Sequence, residues 1–335
     1  MWTRRLLALA LTATTACVTV AQPPAPPPAP ALTPTWSYGH DLRARKAGTT
    51  DFDKDTPKIG VEFYQDAAAG SVVAVTQEGA LAVTHSTAVG PVKKAPWLFA
   101  HDLSSRKGDE DRFTPATAKF GVEAFNDNAS GRVLYLNEKG TVAFAEVPTA
   151  VATNKPPAWH HALIVKVRAA KEQDFAKETK KFGVEVFKDG NTGGLIYVSE
   201  TGSIAAAPAP ATAPAPDSVK APKALYGLTM RCRKSDEADF GVDTRTFSVE
   251  VFRDENTGGL LYISETGAIA TVPPAEAKSG QGVAWKYGMA LKARPGGVAE
   301  FANAKRFGVE LYQDGNTGNL VYLAETGSIA VLPRK

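Results

Sequence analysis

The stretch WKYGMALKARPGGVAEFANAKRFGVELYQDGNTGNLVYLAETGSIAVL, Trp285 to Leu332, carries the fold in its alternation. Trp285, Tyr287, Met289 and Leu291 alternate with Lys286, Gly288, Ala290 and Lys292, the period of two that marks a strand with one apolar face. Phe307 to Tyr312 reads as a second strand, Leu320 to Leu323 as a third and Ser328 to Leu332 as a fourth. Gln313 to Asn319 and Glu325-Thr326-Gly327 are turns, because Asp and Asn bond their own backbone and Gly accepts a positive φ. Short strands with turn residues every eight to twelve positions predict an antiparallel meander.

The same pattern occurs five times in the 335 residues. Trp36, Trp97, Trp159 and Trp285 open four copies and Ala224 opens the fourth in chain order, at steps of 61, 62, 65 and 61 residues. Nine residues on comes an arginine (Arg45, Arg106, Arg168, Arg233, Arg294), and seven further a phenylalanine (Phe52, Phe113, Phe175, Phe240, Phe301). A Val-Glu pair follows, with Glu62, Glu123, Glu185, Glu250 and Glu310. Asp66, Asp127, Asp189, Asp254 and Asp314 lie four residues beyond, and Gly79, Gly140, Gly202, Gly267 and Gly327 seventeen beyond. The repeats are bounded at 36–83, 97–146, 159–206, 224–271 and 285–335.

Apolar residues on both faces of the strands decide how the copies associate. In the third copy Val184 and Val186 oppose Phe187, and Leu195 and Tyr197 oppose Ile196 and Val198. A lone four-stranded sheet of about 48 residues covers one face at most and buries too little surface. Packing sheet on sheet answers both problems. The expected fold is therefore all-β, five tandem four-stranded antiparallel repeats in a five-bladed β-propeller-like array. Its alternative is five small β modules on Pro/Ala-rich linkers. The joints Thr84 to Pro96, Val147 to Ala158, Ala207 to Lys223 and Val272 to Ala284 are long for a propeller, and a 12-residue extended linker reaches ~35 Å. No extra strand before Trp36 or after Leu332 is available to complete a split blade, which counts against a ring. The likeness to propellers is one of blade size and strand count, a guide to fold and none to function.

Composition narrows the function classes. Hydrophobic residues make up 44% and charged residues 22%, a globular balance. Lys and Arg number 38 against 35 Asp and Glu. Two of the cations, Arg4 and Arg5, belong to a basic, apolar, small-residue leader at 1–21 that reads as a signal peptide, which leaves 36 against 35. A bulk charge pull toward nucleic acid is thereby excluded. Residues 22–35, rich in Pro and Ala, favour extended polyproline II and read as a tether. The chain is expected to be exported, to periplasm, envelope or medium, touching membrane only if Cys17 is a lipid-attachment cysteine. With Cys232 the only other cysteine, a disulfide framework and a Cys-rich metal site are excluded.

Five arginines and five glutamates recur, and a carboxylate among aromatics must be paired, which a guanidinium does with two parallel hydrogen bonds. An Arg–Glu clamp is expected in each copy: Arg45 with Glu62, Arg106 with Glu123, Arg168 with Glu185, Arg233 with Glu250 and Arg294 with Glu310. The turns Asp189-Gly190-Asn191, Asp254-Glu255-Asn256 and Asp314-Gly315-Asn316 carry oxygens that could ligate Ca²⁺, but lack the bidentate glutamate of a calcium loop and read first as hairpin turns. His40 and His101 occupy equivalent places, each followed by an aspartate; His160 and His161, adjacent in a strand, should face opposite ways. Cys232 stands where other copies have small residues and reads as buried.

Trp36, Trp97, Trp159 and Trp285, with Tyr38, Phe99, Tyr226 and Tyr287 two places on, fall on one apolar strand face, which reads first as core and second as a set of sugar-stacking platforms. No nucleophile elbow, phosphate loop, dinucleotide fingerprint or His-Glu-x-x-His occurs, and no polar cluster is confined to one copy. The expected function is a binding or protein-interaction scaffold without catalysis or cofactor, its partner an envelope protein or glycan; the alternative is a multivalent lectin-like protein.

Overall fold

The computed structural model describes residues 34–85, 95–145, 155–208, 219–278 and 280–334. The leader, Cys17 and residues 22–33 lie outside the described residues, as do the middles of three joints. Among the described residues twenty strands form five four-stranded sheets, each a meander in chain order. Blade 1 holds β1 (Thr35–Arg43), β2 (Lys58–Asp66), β3 (Ser71–Thr76) and β4 (Leu81–His85). Blade 2 holds β5 (Trp97–Ser105), β6 (Ala118–Asp127), β7 (Arg132–Asn137) and β8 (Val142–Ala145). Blade 3 holds β9 (Ala158–Val167), β10 (Lys180–Lys188), β11 (Leu195–Ser199) and β12 (Ile204–Ala207). Blade 4 holds β13 (Lys223–Cys232), β14 (Arg245–Arg253), β15 (Leu260–Ser264) and β16 (Ile269–Val272). Blade 5 holds β17 (Val283–Ala293), β18 (Lys305–Asp314), β19 (Leu320–Ala324) and β20 (Ile329–Leu332).

The fold is a five-bladed β-propeller. The fourth strands β4, β8, β12, β16 and β20 touch in a ring around the axis, and the first strands form the rim. The second and third strands of a blade are buried on both faces, as Phe182 to Phe187 of β10 and all of β11 show. The core is accordingly five separate clusters, each shared by two neighbouring blades. One joins Tyr38 and Phe63 of blade 1 to Phe125 and Leu134 of blade 2. Another joins Leu291 and Tyr322 of blade 5 to Val73 and Val75 of blade 1. Independent modules would leave half of every such cluster in water, so the linker alternative does not hold. The ring also closes without a split blade: side-chain packing and hydrogen bonds that each involve a side chain make the blade 5–blade 1 seam, as they make the other four.

The one-face reading of the first strand is corrected at its start. Each first strand has a β-bulge directly after the repeat's opening residue, between Trp36 and Tyr38, Trp97 and Phe99, Ala224 and Tyr226, and Trp285 and Tyr287, and at His160 in blade 3. The extra residue shifts the alternation by one. Tyr287, Met289, Leu291 and Ala293 are buried on one face, whereas Trp285 turns to the other. The bulge also undoes the expected separation of His160 and His161, whose ring centroids are 4.8 Å apart.

Blades approach at backbone distance beside the Val-Glu pair. A Cβ on Gly183 would stand 2.0 Å from the Arg106 carbonyl oxygen, and Gly60, Gly121 and Gly308 are similarly confined. Gly183→Ala is expected to destabilise the chain by ~1–3 kcal/mol in urea unfolding, because neither backbone can move without dragging its blade. Blade 4 carries Ser248 at this place. Ser248→Ala adds no atoms and should cost less; equal effects at the two sites would show that Cβ crowding is not the cause.

Candidate functional site at the blade seams

The arginine just past the end of each first strand projects across the seam. Arg45 Nε donates to Glu123 Oε1 at 2.7 Å, and Arg106 to Glu185, Arg168 to Glu250, Arg233 to Glu310 and Arg294 to Glu62 each at 2.6 Å. In the first four a second guanidinium nitrogen reaches Oε2 at 3.1–3.3 Å, a bidentate clamp. The same Oε2 accepts the indole N–H of its own blade's tryptophan, from Trp36, Trp97, Trp159 and Trp285 at 2.6–2.8 Å. Nη1 donates to the carbonyl five residues on, at Thr50, Asp111, Gln173, Ala238 and Ala299. The expected clamps thus pair arginine and glutamate of successive copies, not of one copy. Within a blade Arg168 and Glu185 serve opposite seams.

A double-mutant cycle tests that shift. Arg106→Ala and Glu185→Gln each break a pair whose carboxylate is buried, expected to cost ~3–5 kcal/mol, and the two effects should be strongly non-additive. Arg168→Ala with Glu185→Gln should add nearly independently. Denaturant titration measures both cycles, and coupling in the second but not the first would refute the seam assignment.

Each turn aspartate is a second tie. Its carboxylate is buried and, among the described residues, accepts from two aromatic side chains of the preceding blade. Asp127 takes Tyr38 and His40, Asp189 takes His101 and Tyr135, and Asp254 takes His161 and Tyr197. Asp314 takes Tyr226 and Tyr262, and Asp66 takes Tyr287 and Tyr322. Blade 1 has Ala74 where the other third strands have tyrosine and supplies His40 instead; blade 2 has Phe99 where blade 1 has Tyr38 and supplies His101. His40, His101 and His161 are therefore replacement donors at separate seams. Burial, then the Asp66 charge, pushes the Tyr322 hydroxyl well above its usual range, so it stays a donor.

The candidate calcium oxygens are engaged by protein donors. Asp189 also accepts from the Asn191 backbone N–H and Thr192 Oγ1, Asp254 from Asn256 and Thr257, and Asp314 from Asn316 and Thr317. Asn191, Asn256 and Asn316 side-chain oxygens accept backbone N–H groups of Lys155, Lys220 and Gln281, just before the first strand of the same blade. These residues build hairpin turns tied to the joints.

Acid should undo the aspartate ties. Burial by itself raises the Asp254 carboxyl, but His161, the Asn256 N–H and Thr257 outweigh it and hold it down at about 2; Asp189 and Asp127 are likewise lowered against burial by their hydrogen bonds. A depressed folded value adds stability that is complete above the unfolded value of ~4 and is lost as pH falls through the folded one. The melting temperature is expected to drop steeply between about pH 4 and 2 by calorimetry. An unchanged melting temperature at pH 2.5 would remove the aspartates from the account of stability.

A third tie had no functional reading in the sequence. The residue two before the last-turn glycine, Gln77, Glu138, Glu200, Glu265 or Glu325, accepts backbone N–H groups from the preceding blade's first loop. Glu200, for example, takes Gly108 N of blade 2 and Gly183 N of its own blade. Its signal was available as a carboxylate or carboxamide at one place in every copy. Cys232 is buried, and burial, then the charge of Glu310, pushes its thiol up, which makes it unreactive.

Three of the rim tryptophans are not core, whereas Trp285 is partly buried against the blade 4–blade 5 cluster. Trp36, Trp97 and Trp159 stay 46%, 45% and 44% exposed, and Phe52, Phe113 and Phe175 36–43%. Each phenylalanine lies under its blade's arginine, at 4.7–5.1 Å from guanidinium carbon to ring centroid. Trp36 meets Phe301, Trp97 meets Phe52 and Trp285 meets Phe240 edge to face at 5.7–6.1 Å across the seam. At these three seams the result is a notch: an indole fixed by its N–H, a phenyl ring at right angles, and a charge pair already satisfied behind them. Only the blade 3–blade 4 seam, with Ala224, lacks the indole.

No family model and no curated protein matches the chain. Among solved structures it is similar to a selenomethionine-substituted virginiamycin B lyase from Staphylococcus aureus, at 12% identity over 82% of this chain and 67% of that one, with TM-score 0.12. It is also similar to a streptogramin B lyase, at 10% identity over 92% and 90%, with TM-score 0.13. Likeness at that level carries no argument about activity.

Proposed function

We propose that the chain is an exported, non-catalytic binding scaffold that engages an envelope protein or glycan through the aromatic notches of its rim. One observation carries this reading: partly exposed Trp–Phe pairs recur at the seams with their polar edges already bonded. Rigid aromatic surface presented in several copies is suited to multivalent capture, where weak sites gain strength by number. The Arg–Glu groups beside it are engaged with one another at every seam, which supports binding over catalysis. The lectin reading gains weight from the same exposure, because an indole face held by its N–H is a ready platform for the C–H face of a sugar.

The test is a glycan panel and envelope-fraction capture with the mature protein, compared with a Trp36→Ala, Trp97→Ala, Trp159→Ala variant of verified fold. Binding should fall steeply with the loss of notches, and Ala224→Trp, opposite the exposed Phe175, should strengthen it. Capture that is indifferent to all four positions would overturn the proposal. Amino-terminal sequencing of cell-derived protein should find the chain starting near Gln22; intact Met1 in cytoplasmic material would overturn export.

A further inference from the structure

At one end of the axis the turns between third and fourth strands surround a cavity of about 190 Å³. A single water needs ~10–15 Å³, and drug-sized ligands occupy sites from about 300 Å³ upward, so the space suits one small molecule. Its floor is the buried ring Leu81, Val142, Ile204, Ile269 and Ile329, the first residue of each innermost strand. Below that ring the channel narrows to a cavity of about 50 Å³.

The wall is made of hydroxyls whose remaining hydrogen-bond capacity can be read from the bonds they make. Ser203 and Ser328 Oγ accept the Ile269 and Leu81 backbone N–H groups of the next blade, which leaves their protons unused in those bonds. Thr141, Thr201, Thr266 and Thr326 donate to, or share, the glycine carbonyls of the next blade at Gly202, Gly267, Gly327 and Gly79, and Thr201, Thr266 and Thr326 each make one further bond, to Ser199, Ser264 and the Ser328 N–H, so each hydroxyl oxygen, with two lone pairs, keeps acceptor capacity. Two donors and four acceptors therefore stand over an aliphatic floor. Two charges stand at the mouth, Lys139 and Glu78, and they are opposite in sign.

We propose that this axial mouth binds one neutral polyhydroxylated molecule of pyranose or cyclitol size, its hydroxyl edge on the serine and threonine ring and its C–H face on the aliphatic floor. The balanced charges argue against an anion, which would want uncompensated cations. The site is independent of the rim notches: it is single, on the axis, and contains no aromatic side chain. Ala80 and Ala268 leave the ring open at two places where other blades carry a hydroxyl.

Titration calorimetry of the mature protein with a panel of hexopyranoses, N-acetylhexosamines and inositols is expected to show saturable binding at one molecule per chain. Ala268→Trp fills the mouth without removing a hydrogen bond and should weaken binding at least tenfold with the melting temperature kept; Ala80→Leu is the second blocking variant should the first fail to fold. The triple tryptophan variant should bind as tightly as the parent, which separates this site from the rim. No saturable binding by any panel member, a stoichiometry of several per chain, indifference to both blocking variants, or preference for phosphate or citrate would each overturn the proposal.

Discussion

Excised as Trp285 to Lys335, blade 5 is expected to give the circular dichroism of an unfolded chain and no cooperative melt. The reason lies in how its apolar side chains are shared. Phe307 and Tyr322 pack with Val73 and Val75 of blade 1, while Tyr312, Val321 and Val331 pack with Phe247 and Tyr262 of blade 4. Cutting the blade out exposes both sets, and a sheet of this length has nothing to replace them with. Entire, residues 36–335 should melt in one coupled transition and scatter with a radius of gyration of about 19 Å, the compact value for some 300 residues. A cooperative melt from the single blade, with an extended profile for the whole, would overturn the account of stability given above.

Asp189→Ala is expected to be among the most damaging single substitutions, at ~3–5 kcal/mol. The carboxylate is fully buried and accepts from His101, Tyr135, Thr192 and the Asn191 N–H. Truncation strands two aromatic donors of blade 2 inside the seam and frees the turn that follows β10, and each unsatisfied buried donor costs ~1–3 kcal/mol. Asp189→Asn keeps the shape and one acceptor and should fall between. Urea unfolding reads both, and a loss under ~1 kcal/mol for Asp189→Ala would mean that water replaces the carboxylate at this seam.

Strands, turns and blade count could be read from the chain because they depend on local order: alternation inside a strand, Asp-Gly-Asn between strands, one arginine and one glutamate per copy. Partnership could not. Arg168 and Glu185 are seventeen residues apart, Arg168 and Glu250 eighty-two, and the first spacing looks like the pair until the blade's two faces are assigned to different neighbours. The bulge after each opening residue was hidden too, since neither glycine nor proline marks it and its inserted residues, Ser37, Leu98, His160, Leu225 and Lys286, have nothing chemical in common. Missing it put Trp285 on the core face and concealed the rim notches. The aspartate ties were obscured because their donors change identity and strand from blade to blade, His40 standing in for a third-strand tyrosine in blade 1 and His101 for a first-strand one in blade 2.

The closing seam, held by Arg294 on Glu62 and by Tyr287 and Tyr322 on Asp66, uses the same ties as the four seams that the backbone also spans. Chain order and ring order are therefore separable. The end of β20 stands to the start of β1 as the end of β4 stands to the start of β5, a gap that the chain bridges with the eleven residues 86–96. Circular permutants, cut at any joint and rejoined through a linker of that length, should reach the same ring. The blades thus form a set with no obligatory first or last member.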